Sequence, residues 1–520
     1  MSALKSATIA ALVALPVPAF SEPPLSAIDW LSRSVAEPAS PVALSVPGRS
    51  GGPAGGPINV SPLGGPTLDG IGLLPSSKTG LPFDLWGSTP SGEAARLLRA
   101  ERIDTLPSIQ SLLYMLLLAE TAPPRDADAD SALFLARVDK LLDLGALDPA
   151  LALLELPPSL GPEAFRRRFD AALLLGQEDR ACAAMRENAQ IAPSFPARIF
   201  CLARGGDWDA AALSLRTGEA LGFIAPGEAP LLERFLDPGL AEGEADLPVP
   251  DRPSPLVFRM MEAIGQPLPT TTLPLAFAQS DLRSNSGLKT RIEAAERLAR
   301  TGAIEANLLL GLYTEQAAPA SGGVWDRVRA VRDLDDAVAR NDTNAIAIAL
   351  PLAWNRMAAV ELEVPLAEIY GERLAALGLG GDAGGIAFRL GLLSSAYQKV
   401  ASARVAADGD EAFLIGLALG DAGKTQPPDQ LGAAVRLAFV PQPPTAAAAV
   451  TGPDGGADLD ALLAQGRRGE AILRAIDHVT EGARGDLRDV TAGLRLLRSA
   501  GLEGVARRAA LELILLDRRG

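Results

Sequence analysis

A glycine followed by three residues and then an alanine returns along this chain, each time between two segments whose apolar residues recur at helical spacing. Gly206 to Ala210 and Gly302 to Ala306 show the spacing cleanly, and Asn341 to Ala345 repeats it with asparagine in the glycine's place. Looser copies, shifted by one residue, lie at Gly145 to Ala150, Gly176 to Ala181, Gly466 to Ala471 and Gly501 to Ala506. Glycine supplies the left-handed backbone that ends a helix, and an alanine about one turn into the next helix lets the two helices approach. Gly145, Gly176 and Gly206 are separated by 31 and 30 residues, a period that belongs to stacked helical hairpins. The expected fold is therefore all-α, a solenoid of helical hairpins. Such stacks serve as surfaces for binding partners more often than as housings for chemistry.

Composition narrows the class further. Apolar residues make up 48% of the chain but aromatics only 4%, and the dominant alanine and leucine favour helices over the Val, Ile, Thr and Tyr that a large β-sandwich would need. The net charge of −15 gives no electrostatic footprint for nucleic acid or for an anionic membrane surface. Residues 1–21 carry Lys5, an apolar run from Ala7 to Val17 and small residues at Ala19 and Ser21. That is the layout of a signal peptide cleaved after Ser21. The run is about a dozen residues long, short of the roughly 20 that span a bilayer. The expectation is an exported, periplasmic protein with no transmembrane segment in the mature chain.

The pattern along the chain then divides it. Residues 22–90 are rich in proline and glycine, yet Ile58, Val60, Leu63, Leu68, Ile71, Leu73, Phe83, Leu85 and Trp86 are dotted through them. From residue 58 on, a docking strap and a tether with incidental apolar residues both fit; the run 36–57 reads as tether. Residues 91–221 form a first helical array, opening with a serine cap at Ser91. Its clearest helices are expected at 131–144, 148–156, 162–175, 178–190, 196–204 and 207–221. Prolines break the pattern over 222–289, a hinge or irregular insert with short helices near 255–264 and 274–282. A second array follows over 290–440, then a linker at 441–457 and C-terminal capping hairpins over 458–520 with a polar outer face at Arg507, Arg508 and Asp517.

The run Leu202 to Ala211, with Gly206, Trp208 and Ala210 at its turn, resembles the inter-helix turn of the tetratricopeptide family. The resemblance covers residues 130–221 and then single hairpins at 290–312, 328–350 and 458–516, without the family's early tryptophan and closing proline. It implies a degenerate tetratricopeptide-like superhelix that binds partners. The segments Leu144–Ala150 and Gly322–Val328 are also similar to exported helical-repeat proteins of alphaproteobacteria that accompany the flagellar motor, which implies motor components in the periplasm as partners.

Candidate chemistry is sparse, and no catalytic residue, cofactor or metal is expected. His478 is the one histidine, and no activated serine stands near it, so a structural role is expected. Asp126, Asp128 and Asp130 begin like a calcium loop, but Ser131 and Arg137 stand where glycine and an acidic ligand are needed; a cap for the following helix explains them. Gly378, Gly380 and Gly381 approximate a dinucleotide loop but follow a helix, not a strand, and read as an inter-hairpin turn. Arg166, Arg167 and Arg168 read as a solvated face, and Trp86, Trp208, Trp325 and Trp354 as fillers between helices. Cys182 and Cys201 lie about equally far from the turn near Ala192, on neighbouring antiparallel helices. In an oxidising compartment that fits a disulfide worth roughly 3 kcal/mol in the chain-entropy picture, in preference to two buried thiols. The expected function is a non-catalytic periplasmic scaffold in a cell-envelope machine. The alternatives are a peptidoglycan-cleaving enzyme of the superhelical transglycosylase type, for which the Glu-Ser pair of that family never occurs here, and a module that binds a peptide or glycan.

Overall fold

A computed structural model describes residues 67–319, 322–440 and 459–516. The signal peptide with Ser21, the strap before residue 67 and the linker at 441–457 lie outside the described residues. Those described are all-α: they hold α-helices and short 3-10 turns, with one isolated bridge between Leu74 and Ala119 in place of any sheet. Successive helices pair as hairpins, which makes the fold a helical-hairpin solenoid.

The first array contains α1 (Ser76–Thr79), α2 (Ser91–Ala100), α3 (Pro107–Leu118), α4 (Ala132–Asp143), α5 (Leu147–Glu155), α6 (Pro162–Leu175), α7 (Glu178–Glu187), α8 (Phe195–Arg204) and α9 (Trp208–Ala220). The expected helices from 131 to 221 agree with α4 to α9 within three residues at every end. Across the proline-rich stretch run α10 (Ala229–Leu236), α11 (Pro255–Ala263) and α12 (Ala278–Asp281). α10 was not expected from the pattern; Pro230 sits at its start, where a missing N–H costs nothing. This stretch is tied to the first array: the Gln279 amide donates to the Gly145 carbonyl (2.6 Å) and the Ser280 hydroxyl to that of Leu174 (2.9 Å).

The second array comprises α13 (Leu288–Arg300), α14 (Ala306–Thr314), α15 (Val324–Ala339), α16 (Thr343–Ala358), α17 (Glu363–Ala375), α18 (Gly381–Leu393), α19 (Tyr397–Ala403), α20 (Gly409–Leu419) and α21 (Gln430–Phe439). The last hairpins are α22 (Leu459–Ala464), α23 (Arg468–Ala483), α24 (Leu487–Ser499) and α25 (Glu503–Leu515). These last helices do not end the array with a free polar face. They return to the start of the chain, α25 packing on α3 and α23 on α2, and Arg507 is half-buried in an ion pair with Glu503.

The seam of this closure is built from both polar and apolar contacts. The Gly469 amide donates to the Leu85 carbonyl (2.8 Å), and the Ser88 hydroxyl to that of Gln465 (2.8 Å). The buried Trp86 ring lies so close to Gly469 that a Cβ there would come within 2.5 Å of it. Glu512, itself buried, accepts from the Ser108 amide at 2.9 Å and its hydroxyl at 2.7 Å. One apolar core consequently joins residues 81–277 to residues 388–513, while residues 292–393 form a second core.

Candidate interaction sites

The turn glycines all hold left-handed backbone, with φ of 78° at Gly145, 72° at Gly176, 83° at Gly206, 67° at Gly302, 72° at Gly466 and 87° at Gly501, and Asn341 does the same at 52°. The residue that packs is the fifth after the glycine, one later than the clean spacing suggests. Ala150, Ala181, Ala471 and Ala506 are each the fourth residue of their helix and are fully buried. At the clean copies, Ala210 and Ala345 are half-buried, whereas the residues that follow them, Ala211 and Ile346, are buried. A helix turns in 3.6 residues, so its fourth position is the first to complete a turn and face the preceding helix. After Gly302 the loop is longer and α14 begins at Ala306 itself, which is half-buried.

Cys182 on α7 and Cys201 on α8 are joined by a disulfide, their Cα atoms 5.0 Å apart and both side chains buried. His478 is buried as well, with Nδ1 2.7 Å from Asp489 Oδ1 on the next helix. The stretch from Gly378 to Gly380 is the turn between α17 and α18, and Gly381 opens α18.

Three local readings differ from the structure because distant segments supply the partners. Asp126 does not cap the helix that follows it; it accepts from the Ser91 amide at 2.9 Å and so caps α2, whose own Ser91 makes no capping bond. The cap of α4 comes from Asp69 in the strap, which accepts from the Phe134 amide at 2.8 Å. Arg166 and Arg167 are buried rather than solvated, Arg167 being held by Asp139 at 2.5 and 3.1 Å.

Arg137, the would-be calcium position, is 1% exposed. Its guanidinium donates to the carbonyls of Leu117 (2.7 Å), Ala119 (2.8 Å), Ile71 (2.7 Å) and Asp69 (3.3 Å). It thereby pins residues 67–74 of the strap across the end of α3, beside the Leu73-to-Leu118 backbone bond. Between the two alternatives for the strap, residues 67–90 dock on this chain. Burial pulls the Arg137 guanidinium down to about 10, with the Asp69 charge opposing. Lys140, also buried, spends its protons on the carbonyls of Arg99 (3.0 Å) and Glu101 (2.7 Å) and on Asp143 (3.1 Å). Burial, reinforced by the Asp477 charge, drives the Glu101 carboxyl well above the carboxylate range. Asp170 is pushed up to about 7 by burial, since its nearest cation, Arg166, stands 3.8 Å away, beyond hydrogen-bond reach. These charges hold backbone and each other; they are not arranged around an open cleft.

Some large apolar side chains are also left on the surface. Ile348 and Leu352 lie one turn apart on α16, 79% and 48% exposed. Trp208, expected to fill a gap between helices, is half-exposed on α9, with Leu213, Leu221 and Phe223 exposed nearby in sequence; Trp86 is buried, and Trp325 and Trp354 are half-buried. An open cavity of about 140 Å³ lies between α17, α18 and α19. Among the described residues no cluster of His, Cys, Asp and Glu is placed to hold a metal, and no helix is long and apolar enough to cross a membrane. Comparison with known proteins finds no matching family, curated protein or solved structure.

Proposed function

We propose that this chain is a non-catalytic periplasmic scaffold of tetratricopeptide type, which holds protein partners in a cell-envelope machine and most specifically serves the flagellar motor. The observation that carries the reading is the Ile348–Leu352 stripe, two large apolar side chains left in solvent on one face of α16. Apolar side chains exposed together mark interaction surfaces. The Cys182–Cys201 disulfide supports an oxidising compartment, as does the signal-like pattern of residues 1–21. The motor assignment rests on the similarity of Leu144–Ala150 and Gly322–Val328 to motor-associated exported proteins.

The test is a photoreactive amino acid placed at Ile348 or Leu352 and activated in living cells. The scaffold reading expects one discrete adduct with an envelope protein, missing when the same group is placed at the exposed Glu187. Equal adduct patterns at all three sites would refute it. Normal swimming after deletion of the gene would remove the motor and leave the scaffold.

A further inference from the structure

In a stack of hairpins each unit covers the face left by the one before it, and at α9 that succession stops. Around the helix, at 3.6 residues per turn, Ala211, Leu215 and Gly218 share one side and are buried. Asp209, Arg216 and Glu219 share another, exposed to solvent. Between these two sides runs a third without a charge: Ala210, Leu213, Ser214, Thr217, Ala220 and Leu221, the last directly after the helix. Leu213 is 68% exposed and Leu221 62%, and Phe223, stacked on Phe195 at 5.5 Å, is exposed just beyond. The following helix, α10, packs on α9 but is only 8 residues long and leaves this side open.

The chain itself carries a segment that suits this side. Of the residues outside those described, 36–66 and 441–458 are broken by prolines and glycines, and 1–21 read as a leader. Residues 26–35 differ: Ile28, Leu31 and Val35 recur at steps of three and four, and Asp29 and Arg33 fall on the other side of that period. One acid and one base cancel, which matches a side of α9 that carries no charge. Reach matches too. Leu68 is anchored beside the start of α4, its amide donating to Ser131 Oγ at 2.9 Å. A chain with the length and composition of residues 36–67 spans on the order of 30 Å. From α4 to α9 the stack advances by two hairpins and one further helix, at roughly 10 Å each. A linker whose span equals the separation gives its end the highest local concentration, of order millimolar, enough to hold a short apolar segment.

We propose that residues 26–35 of this chain cover the uncharged side of α9, with Ile28, Leu31 and Val35 set against Leu213 and Leu221. The segment thereby takes the place of the hairpin that the stack lacks there. This contact does not depend on the partner surface of α16 and stands or falls apart from it.

The test places a benzophenone amino acid at the exposed Leu213 of the full chain and activates it in the purified protein. Peptide sequencing is expected to find a link to residues 26–35 of the same chain, at a yield independent of protein concentration. Leu31→Asp should lower that yield about ten-fold, the factor for withdrawing one leucine from an apolar contact, while the circular dichroism stays native. The same group at Arg216, on the charged side of α9, should give no such link. A link that joins two chains and grows with concentration would assign the side to a second copy of this chain. An adduct with another protein in cells, without the intrachain link, would assign it to a foreign partner. Either result would overturn the proposal, as would a yield unchanged in Leu31→Asp or no link at all.

Discussion

The stretch from Asp69 to Glu178 buries Arg137, Asp139, Lys140, Asp143, Arg167 and Asp170 among its charges, whereas the stretch from Leu288 to Leu393 buries Glu296 and Glu363. The first belongs to the core that the C-terminal hairpins close; the second is the core that bridges it. Apolar burial is non-directional, so it does not by itself say which end of a stack of similar helices meets which. In the closing region the partners are far apart in sequence, Asp69 with Phe134 and Ser108 with Glu512, and directed bonds from charged groups select one pairing. The bridging region joins neighbours, α15 with α16 and α17 with α18, where short turns already dictate the pairing. That region is also the one that leaves Ile348 and Leu352 in solvent, and the open cavity lies where the two cores meet, lined by Leu374 and Ala387 of the second and by Phe388 and Val400 of the first.

The comparison breaks most easily at Arg137. Arg137→Met keeps the aliphatic stem but leaves the Leu117, Ala119 and Ile71 carbonyls buried without their donor. Removing one partner of such a buried set costs about 3–5 kcal/mol, read by chemical denaturation, and cleavage by protease within residues 67–90 should rise with it. Glu296→Gln is the matched change in the bridging region. It retains an acceptor for the Tyr313 hydroxyl, at 2.8 Å, and leaves Arg327 half-buried and able to reach water, so about 1–2 kcal/mol is expected. Equal losses would end the distinction between the regions.

Asp170 gives the closing region a pH dependence of its own. Its carboxyl is raised to about 7 in the folded protein by burial, against about 3.9 in an unfolded chain. Between those values the folded state binds the extra proton, so the contribution is fully present below about pH 4 and is lost as pH rises through 7. The slope reaches at most about 1.4 kcal/mol per pH unit, so at most about 4 kcal/mol is lost across the window, the opposing pull of Arg166 and Arg167 being already contained in the raised value. Asp170→Asn keeps the shape and removes the proton. Its stability relative to the parent should climb from pH 4 to pH 8; a flat difference over that range would place Asp170 in water.

How far the sequence could be read follows the same division. The boundaries of α4 to α9 were legible because α4, α6, α8 and α9 run into glycines and α5 into a pair of prolines, all signals that lie within one hairpin. The disulfide pairing was legible for the same reason, Cys182 and Cys201 flanking one turn. The strap was not: nothing near Asp69 says that its carboxylate caps a helix 65 residues away, and nothing near Arg166 or Arg167 says that α4 carries Asp139 to meet Arg167. Glu512 and Ser108 sit in ordinary helical sequence, 404 residues apart, and their pairing is a property of the closed chain alone. The cavity was equally hidden, since no motif or spacing around Phe388, Lys399 or Val400 marks them as neighbours of one recess.

The finest separation between the regions lies in the register of the small residues. Ala506, fifth after Gly501, has no exposed surface against its neighbours, while Ala345, fourth after Asn341, is half-buried on α16. Leucine in place of a fully packed alanine forces neighbouring side chains off their rotamers and costs about 1–3 kcal/mol. At a half-exposed helical site leucine is nearly as good a helix former as alanine, and a change within about 0.5 kcal/mol is expected. Ala506→Leu should therefore lower Tm clearly and Ala345→Leu barely, in separate thermal melts. Were Ala345→Leu the more damaging, the packing residue would be the fourth after the turn, and the clean spacing seen in the sequence would be the true contact. The expected order instead makes the looser copies the ones that hold helices together, because only they complete a turn before presenting the alanine.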